Sequence, residues 1–323
     1  MFDITLRLWE DKLMFKSKEY ILAIVREGGF SRAAEKLYIS QPSLSATVKR
    51  VEEKLSMPIF DRTTTPITLT EVGKEYVRRA MEIEEVERDF DIYISDRAGL
   101  SVGEVKIGGS SLFSSSVLPR MIAGFNEKYP RVSVKIFENN TKDLMRDLAE
   151  GSLDIVIDNA VIKNDNISSV CYTSEMILLA VPTRLGGSGG ISDLSFSAED
   201  IKAGKHISEP RTVSIREFSS LPFILLHSEN DTGKRAEKIF RKHRITPHVL
   251  FKLDQQMTAY NVCASGMGIT FISDTLVKSL SGREDVRYYR LNDNETLRNI
   301  YLYQKKKSYH SIACRKFMEH VVR

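Results

Sequence analysis

The spacing of apolar residues in the first sixty positions predicts three helices, the last two joined by a tight turn. "KEYILAIVREGG" places its apolar residues on one helical face and ends on paired glycines. In the next helix, "SRAAEKL", Ser31 is the predicted N-cap, and Ala33 and Ala34 form the buried side. After the turn "YIS", Ser40 is placed to cap a third helix that has Pro42 in its first turn. Helices joined by so short a turn cross steeply, and the alanines permit close contact.

The third helix is polar on the side away from its apolar stripe. This side carries short hydrogen-bonding groups first and bases further along: Gln41, Pro42, Ser43, Ser45, Thr47, Lys49 and Arg50. A recognition helix that enters the major groove by its N-terminal end has this order, with base-reading groups ahead of phosphate-binding groups. The pattern alone also fits a plain helical hairpin with a solvated polar face.

A short β-hairpin is predicted next, in "SMPIFDRTTTPITLTEVGKEYV". Apolar pairs flank a polar tip that contains Pro66, which is typical of a wing that follows a recognition helix. Thr70 is placed to cap the helix after the hairpin.

The order of these motifs resembles the LysR-type transcriptional regulators. F-S-R-A-A-E-K-L, S-Q-P-S-L-S, E-E-K-L, P-I-F-D-R and L-T-x-x-G follow one another between residues 16 and 73. The resemblance implies a winged helix-turn-helix that binds double-stranded promoter DNA as a homodimer or homotetramer. It implies base-edge contacts from Gln41, Pro42 and Ser45. The whole implied set of DNA-binding residues, including those at the backbone, is Ser31, Arg32, Gln41, Pro42, Ser43, Ser45, Lys49, Arg50 and Arg62.

Two positions depart from the pattern of these regulators. The residue after Ser45, which is often arginine in the family, is Ala46, and the wing tip, which is often basic, reads "TTTPI". Fewer cations at the DNA face release fewer counterions on binding, so we expect a shallower salt dependence than in relatives.

A long helical pattern connects this segment to the rest of the chain. No glycine or proline interrupts it from Lys74 to Arg97, and its apolar residues keep three- and four-residue spacing. They are Tyr76, Ala80, Ile83, Val86, Phe90 and Ile94. The spacing predicts a dimerising helix, although packing on its own chain also accounts for it. "AGLSVGE", residues 98–104, is the predicted hinge.

Strands alternate with helices from Glu104 onward, and the alternation recurs after a long connection. Such alternation predicts a parallel α/β sheet, here in two lobes. The last part, from "DVRYYRL" onward, is predicted to return to the first lobe. "KIGGSS", "LDIVI" and "PFILL" resemble the effector domain of LysR-type regulators, which implies a two-lobed, periplasmic-binding-protein-like fold.

The predicted organisation is thus an α-rich winged helix-turn-helix followed by an α/β effector domain. The winged helix-turn-helix takes residues 1–73, the linker helix and hinge take 74–102, and the effector domain takes 103–323. Within it, lobe I covers about 103–183 and 282–323, and lobe II covers about 217–281.

A small anionic effector is predicted between the lobes. Ligands of this fold bind at the carboxyl ends of strands, where helix N-termini present free N–H groups and a positive dipole end. The resemblance implies ligand contacts from Ser110 and Ser111, on the loop after the first strand, and from Thr141 after the second. His227 and Ser228 end the first strand of lobe II and are further candidates. Each hydroxyl is also explained by helix capping alone.

The connection between the lobes is unusually long, at residues 184–215. "GGSGG" predicts a flexible turn and "SAEDIKAG" a short capped helix. Long loops are often functional, and shaping the cleft mouth or forming an oligomer contact both fit this one.

Composition adds little to this picture. The net charge is +4, and nine Lys/Arg against six acids between Phe15 and Thr70 place most of the excess in the predicted DNA-binding segment. Three widely spaced cysteines argue against a disulfide framework, and the six histidines lack the spacing of a metal motif. We expect no cofactor, no signal peptide, no membrane partner and a cytoplasmic protein.

Two other classes of protein share the α/β pattern. A hydrolase needs G-x-S-x-G, but "GGSSL" lacks its last glycine, and no dinucleotide or Walker motif is present, so we expect no enzyme. A solute-binding receptor shares the two-lobed fold, but it requires export and has no DNA-binding segment.

Overall fold

A computed structural model of the chain describes residues 14–64, 66–97, 103–186 and 191–322. The chain forms two compact units that divide between Ile94 and Ser95. Most of the predicted hinge, residues 98–102, and most of the glycine-rich turn, residues 187–190, fall outside the described residues. Within them, no helix combines the length and apolar character needed to cross a membrane.

The first unit has the element order predicted for a winged helix-turn-helix. Gly28 ends the first helix in a left-handed conformation, with φ at 68°, which glycine adopts at no steric cost. The elements are α1 (Lys18–Glu27), α2 (Phe30–Lys36), α3 (Gln41–Leu55), β1 (Phe60–Asp61), β2 (Thr68–Leu69) and α4 (Glu71–Arg97).

The turn between α2 and α3 brings the two helices together over small side chains. Ala33 and Ala34 are buried against the core that contains Leu44 and Val48. The predicted cap of α3 is confirmed, because Ser40 Oγ accepts the Ser43 N–H at 3.3 Å. The predicted cap of α2 is wrong: Gly29 occupies the N-cap position, so the helix starts one residue before Ser31.

A carboxylate on α3 holds the wing in place. β1 and β2 pair antiparallel, with Phe60 opposite Leu69. Glu52 Oε1 accepts the N–H groups of Ile59 at 2.9 Å and Phe60 at 3.2 Å. Its Oε2 accepts from Arg62 Nη2 at 3.0 Å, so one side chain ties the recognition helix to both the entry and the rim of the hairpin.

The apolar stripe of α4 is divided between two environments. The helix starts at Glu71, and the predicted cap is confirmed, because Thr70 Oγ1 accepts the Gly73 N–H at 2.9 Å. Tyr76 and Ala80 are buried in the core of the first unit, so this part of the stripe packs on its own chain. Further along, Val86, Phe90 and Ile94 are 69%, 61% and 48% exposed, and only this part is open to a partner.

The second unit is a mixed α/β sheet with helices on both faces. Its first elements are β3 (Glu104–Gly109), α5 (Ser111–Ser116), α6 (Leu118–Lys128), β4 (Ser133–Glu138), α7 (Thr141–Glu150), β5 (Ile155–Asp158), β6 (Ile167–Pro182), α8 (Ala198–Lys202) and α9 (Lys205–Ser208). The remaining elements are β7 (Pro222–Leu226), α10 (Asp231–His243), β8 (His248–Leu253), α11 (Gln256–Ala264), β9 (Ile269–Ser273), α12 (Asp274–Ser279), β10 (Val286–Tyr289), β11 (Leu297–Lys305) and α13 (Ile312–Val321).

Two long antiparallel strands join the lobes. The strand order is β4-β3-β5-β11-β6-β9-β7-β8, and β10 pairs with β6. The strands β3, β4 and β5 are parallel, as are β7, β8 and β9, while β6 and β11 run antiparallel between the two sets. The prediction of parallel strands thus holds within each lobe, and the crossing strands make the sheet mixed.

The crossing points differ from the predicted ones. β6 is one strand of 16 residues: its first part pairs with β11, and its last part pairs with β9 and β10. Residues 176–182 and β10 therefore pack in the core of lobe II. The prediction that "DVRYYRL" returns to lobe I is wrong, because β10 pairs with Leu179–Pro182, and the return is made by β11.

The long connection wraps lobe II. The predicted short helix is confirmed as α8, with a capping box between Ser197 and Asp200. Phe196 and Ile201 pack on one face of the lobe, and Val213 and Ile215 pack on the other. Its described residues serve as part of the lobe's own core.

Replacing Glu52 with alanine tests its role in holding the wing. We expect a loss of about 1–3 kcal/mol of unfolding free energy, because two partly buried N–H groups lose their acceptor. Unfolding in urea is monitored by hydrogen exchange of peptides from residues 14–97, which reports the stability of this unit separately from the rest of the chain.

Glu53→Ala is the matched control, since Glu53 is exposed and only reaches Lys49 at 3.7 Å. We expect it to change the unfolding free energy by less than about 0.5 kcal/mol. Equal losses in the two variants would contradict the role of Glu52.

Candidate DNA-binding face and ligand cavity

The N-terminal end of α3 presents its polar side chains to solvent. Gln41, Pro42, Ser43, Lys49 and Arg50 are exposed, and Ser45 is half-buried. The opposite side carries the buried Leu44, Val48 and Val51. The fold therefore separates the predicted base-reading end of the helix from its core-facing stripe.

The cationic side chains predicted to contact the DNA backbone differ in how many contacts they make within the protein. Arg32 donates to the Gly28 carbonyl at 3.1 Å. Arg62 is paired with Glu52 at 3.0 Å and lies 5.8 Å from the centre of the Phe30 ring. Arg50 forms no ion pair with a described residue, and Lys49 makes only the long contact with Glu53. Ser31 is exposed in the first turn of α2.

One exposed aromatic residue at this face escaped the sequence analysis. Tyr38 lies in the turn between α2 and α3, has φ at 56°, and is 97% exposed. An aromatic residue in a three-residue turn between two helices was the available signal, since Ile39 packs on the core from the same turn and Tyr38 does not.

A cavity of about 470 Å³ opens between the lobes. It lies at the carboxyl ends of strands in both lobes, where α5, α7, α10 and α11 begin. Four of the five predicted effector residues line it, namely Ser110, Ser111, Thr141 and His227, while Ser228 is not in its lining. No described residue of 184–215 lines it either, so the connection does not shape this cavity.

The predicted hydroxyls have partners that capping alone does not explain. Ser111 is the first residue of α5 rather than a loop residue, and its Oγ donates to Gln255 Oε1 of lobe II at 3.1 Å. Thr141 Oγ1 donates to Asp158 Oδ2 at 2.8 Å, while the cap of α7 is Asn140. Ser111 therefore bridges the two lobes at the cavity.

Carboxylates dominate the charge of the lining. The acidic residues in it are Glu138, Asp158, Glu229, Asp231 and Asp254. Neither lysine nor arginine occurs among the described residues that line the cavity, and its one histidine is His227. The sequence analysis missed these acids, although four of them end or directly follow a predicted strand and the fifth, Asp231, begins the helix after one. Their number weighs against the anion that the helix N-termini predict.

The surroundings shift the pKa values of two of these acids in opposite directions. Asp158 is 2% exposed, and burial raises the pKa of its carboxyl group. Burial also raises the pKa of Asp231, but the charges of Arg298 and Arg235 outweigh that effect and hold this pKa below its usual value. Asp231 is therefore the acid whose ionised form the fold stabilises.

A buried ionic network lies next to the cavity, where β6 and β11 cross. Arg298 donates to Glu175 Oε1 at 2.7 Å, to Asp231 Oδ2 at 2.9 Å and to Thr232 Oγ1 at 3.0 Å. Gln256 Nε2 also donates to Thr232 Oγ1, at 2.8 Å. The N-termini of α10 and α11 are thereby connected to the crossing strands.

Two family models match the chain in the order that the fold shows. Residues 15–74 match the bacterial regulatory helix-turn-helix protein, lysR family. Residues 98–323, well over half of the chain, match the LysR substrate binding domain.

Curated relatives and solved structures agree with these matches. A probable RuBisCO transcriptional regulator of Gracilaria tenuistipitata var. liui is 28% identical over 258 residues, covering 78% of this chain and 77% of that protein. Full-length OxyR from Pseudomonas aeruginosa has a TM-score of 0.67 at 18% identity, covering 95% of this chain and 94% of that one. Full-length CbnR, a LysR family regulator, in complex with its target DNA has a TM-score of 0.58 at 18% identity, covering 95% of this chain and 98% of that one.

The helix-turn-helix unit and the two-lobed unit thus occur together in the order of a known class of regulators, which are not enzymes. The protein belongs to the LysR family of transcriptional regulators, with an N-terminal helix-turn-helix domain and a C-terminal effector-binding domain.

Proposed function

We propose that the protein binds double-stranded promoter DNA through α3 and the wing. The exposed polar end of α3 carries this proposal, with Gln41 and Ser45 at base edges and Lys49 and Arg50 at phosphates. The solved CbnR structure contains its target DNA, which supports the same use of the shared fold. The rest of the proposed DNA-binding set is Ser31, Arg32, Pro42, Ser43 and Arg62.

A small molecule in the cavity between the lobes controls this binding. The cavity volume of about 470 Å³ suits a metabolite, and helices from both lobes begin at its wall. A ligand that contacts both walls favours the closed arrangement of the lobes, and the population shift alters how paired copies space their recognition helices. The anionic effector predicted from the helix N-termini stays a prediction, and the five carboxylates of the lining weigh against it.

The regulator works as a homodimer or homotetramer in the cytoplasm. The exposed part of the α4 stripe, with Val86, Phe90 and Ile94, supports a second copy as its partner, since reading two half-sites requires two recognition helices. Both edge strands of the sheet also expose apolar residues, such as Phe137 in β4 and Phe251 in β8. We place the DNA-binding domain at 1–73, the linker helix and hinge at 74–102, and the effector domain at 103–323.

Gln41→Ala tests the assignment of base reading. We expect specific binding to the promoter next to the protein's own gene to weaken about tenfold to hundredfold in a gel-shift titration, because a bidentate base contact contributes roughly 1–3 kcal/mol. Binding to an unrelated duplex should stay unchanged.

Lys49→Ala provides the contrast, because loss of a phosphate contact weakens binding to both duplexes and lowers the salt slope by about one. Unchanged specific binding by Gln41→Ala would contradict its role. Absence of any salt-sensitive specific complex in the unaltered protein would overturn the proposed function itself.

Phe90→Glu tests the dimer. A charge in the exposed stripe of α4 opposes burial of that stripe, so we expect a shift toward monomer and weaker promoter binding. Phe90→Leu keeps the stripe apolar and should remain dimeric. Sedimentation analysis checks both variants, and a Phe90→Glu protein that stays dimeric would exclude this face as the essential interface.

A further inference from the structure

Three of the carboxylates that line the cavity have no cation beside them. Glu138, Glu229 and Asp254 form no ion pair with any residue in the described part of the chain. Glu138 ends β4 in lobe I, while Glu229 and Asp254 follow β7 and β8 in lobe II. Both walls are therefore negative, and bringing them together costs free energy unless a positive charge enters between them.

Two of the four helix N-termini at the cavity, those of α7 and α10, are capped by the protein's own side chains. Asn140 Oδ1 accepts the Asp143 N–H at 3.0 Å, and Asn230 Oδ1 accepts the Thr232 N–H at 2.9 Å. Asp231 adds a carboxylate to the first turn of α10. Part of the attraction for an anion is thus already used by the protein's own side chains.

Two buried carboxylates lie at or next to the cavity, and the charge of one of them, Glu175, is compensated by Arg298. Asp158 lines the cavity while being 2% exposed. Glu175, also 2% exposed, accepts from the cavity residue Asn159 at 3.2 Å through Oε1. Its other carboxylate oxygen, Oε2, has no hydrogen-bond partner among the described residues. Arg298 Nη2, in the same ion pair, also has no partner among the described residues, so this buried pair does not distinguish a cationic from an anionic ligand.

The remaining lining residues indicate what kind of cation fits. Leu112, Met257 and Leu276 supply apolar surface for a methylene chain. No phenylalanine, tyrosine or tryptophan occurs among the described lining residues, so the large stacking surface that a sugar ring prefers is missing. The acids are spread around the wall, and in the described part of the chain no three metal-binding side chains are grouped to hold a metal ion.

We propose that the effector of this regulator is a small organic cation, with one or more ammonium groups on a short aliphatic chain. This inference rests on the proposed function, because it names the ligand class of the same cavity. The ammonium groups bridge the carboxylates of the two lobes, and the methylene chain lies against the apolar part of the wall.

The charge of the ligand is tested with compounds that share one carbon chain. The full-length protein is heated with putrescine, succinate or butanediol, which differ only in their end groups, and with cadaverine and spermidine as longer cations. We expect at least one amine to raise the melting temperature, while succinate, butanediol and magnesium chloride at equal ionic strength do not. Stabilisation by succinate alone, or by none of the amines, overturns the inference.

Variants of the cavity locate the binding. Glu138→Gln and Asp254→Asn remove one charge from each lobe, and we expect each to weaken amine binding at least tenfold in calorimetric titration. Asp165→Asn is the matched control, since Asp165 is an exposed carboxylate outside the cavity. If an amine binds the two cavity variants as tightly as it binds the control variant, its binding site lies outside the cavity. The inference then fails.

Ligand effects on promoter binding distinguish a failure of this inference from a failure of the proposed function on which it rests. If the promoter complex forms and succinate shifts it while no amine does, the ligand class is wrong and the proposed regulator stands. If an amine both stabilises the protein and shifts the promoter complex, the ligand class is supported.

Discussion

One buried cation constrains the effector-binding unit. Arg298 lies where β11 and β6 pass between the lobes, and its side chain is almost fully buried. Glu175 on β6 and Asp231 on α10 both pair with it. Removing one partner from such a buried set costs about 3–5 kcal/mol, because a charge is left uncompensated. The crossing strands and the first turn of α10 are therefore held in one arrangement, and with them a carboxylate at the cavity wall.

The charge of the cavity follows from this arrangement. Asp231 compensates Arg298, so little of its charge is left for a ligand, whereas Glu138, Glu229 and Asp254 line the cavity and form no ion pair with a residue that the structure describes. These acids lie on both lobes, so the proposed function makes the approach of the lobes depend on the charge of the ligand.

The DNA-binding unit was predicted well because its information is local. Ala33 and Ala34 pack where the helical spacing placed them, and Ser40 caps α3 through a hydrogen bond to a residue three positions away. Even so, the N-cap of α2 is Gly29 and not the predicted Ser31. The division of the α4 stripe at about Ala80 was also not predicted, because it depends on the packing of α4 against α1. Helical spacing identifies an apolar face but does not say what covers it.

The sequence by itself determined the elements, most of the caps and the family pattern, since each depends on residues within a turn or two of one another. Only the tertiary structure decided which strands cross between the lobes and what charge surrounds the cavity. β6 and β11 pair residues more than a hundred positions apart, and the cavity acids come from strand ends of both lobes. Alternation along the chain does not encode such pairings, so the group of carboxylates at the cavity is seen only when the strand ends of both lobes meet.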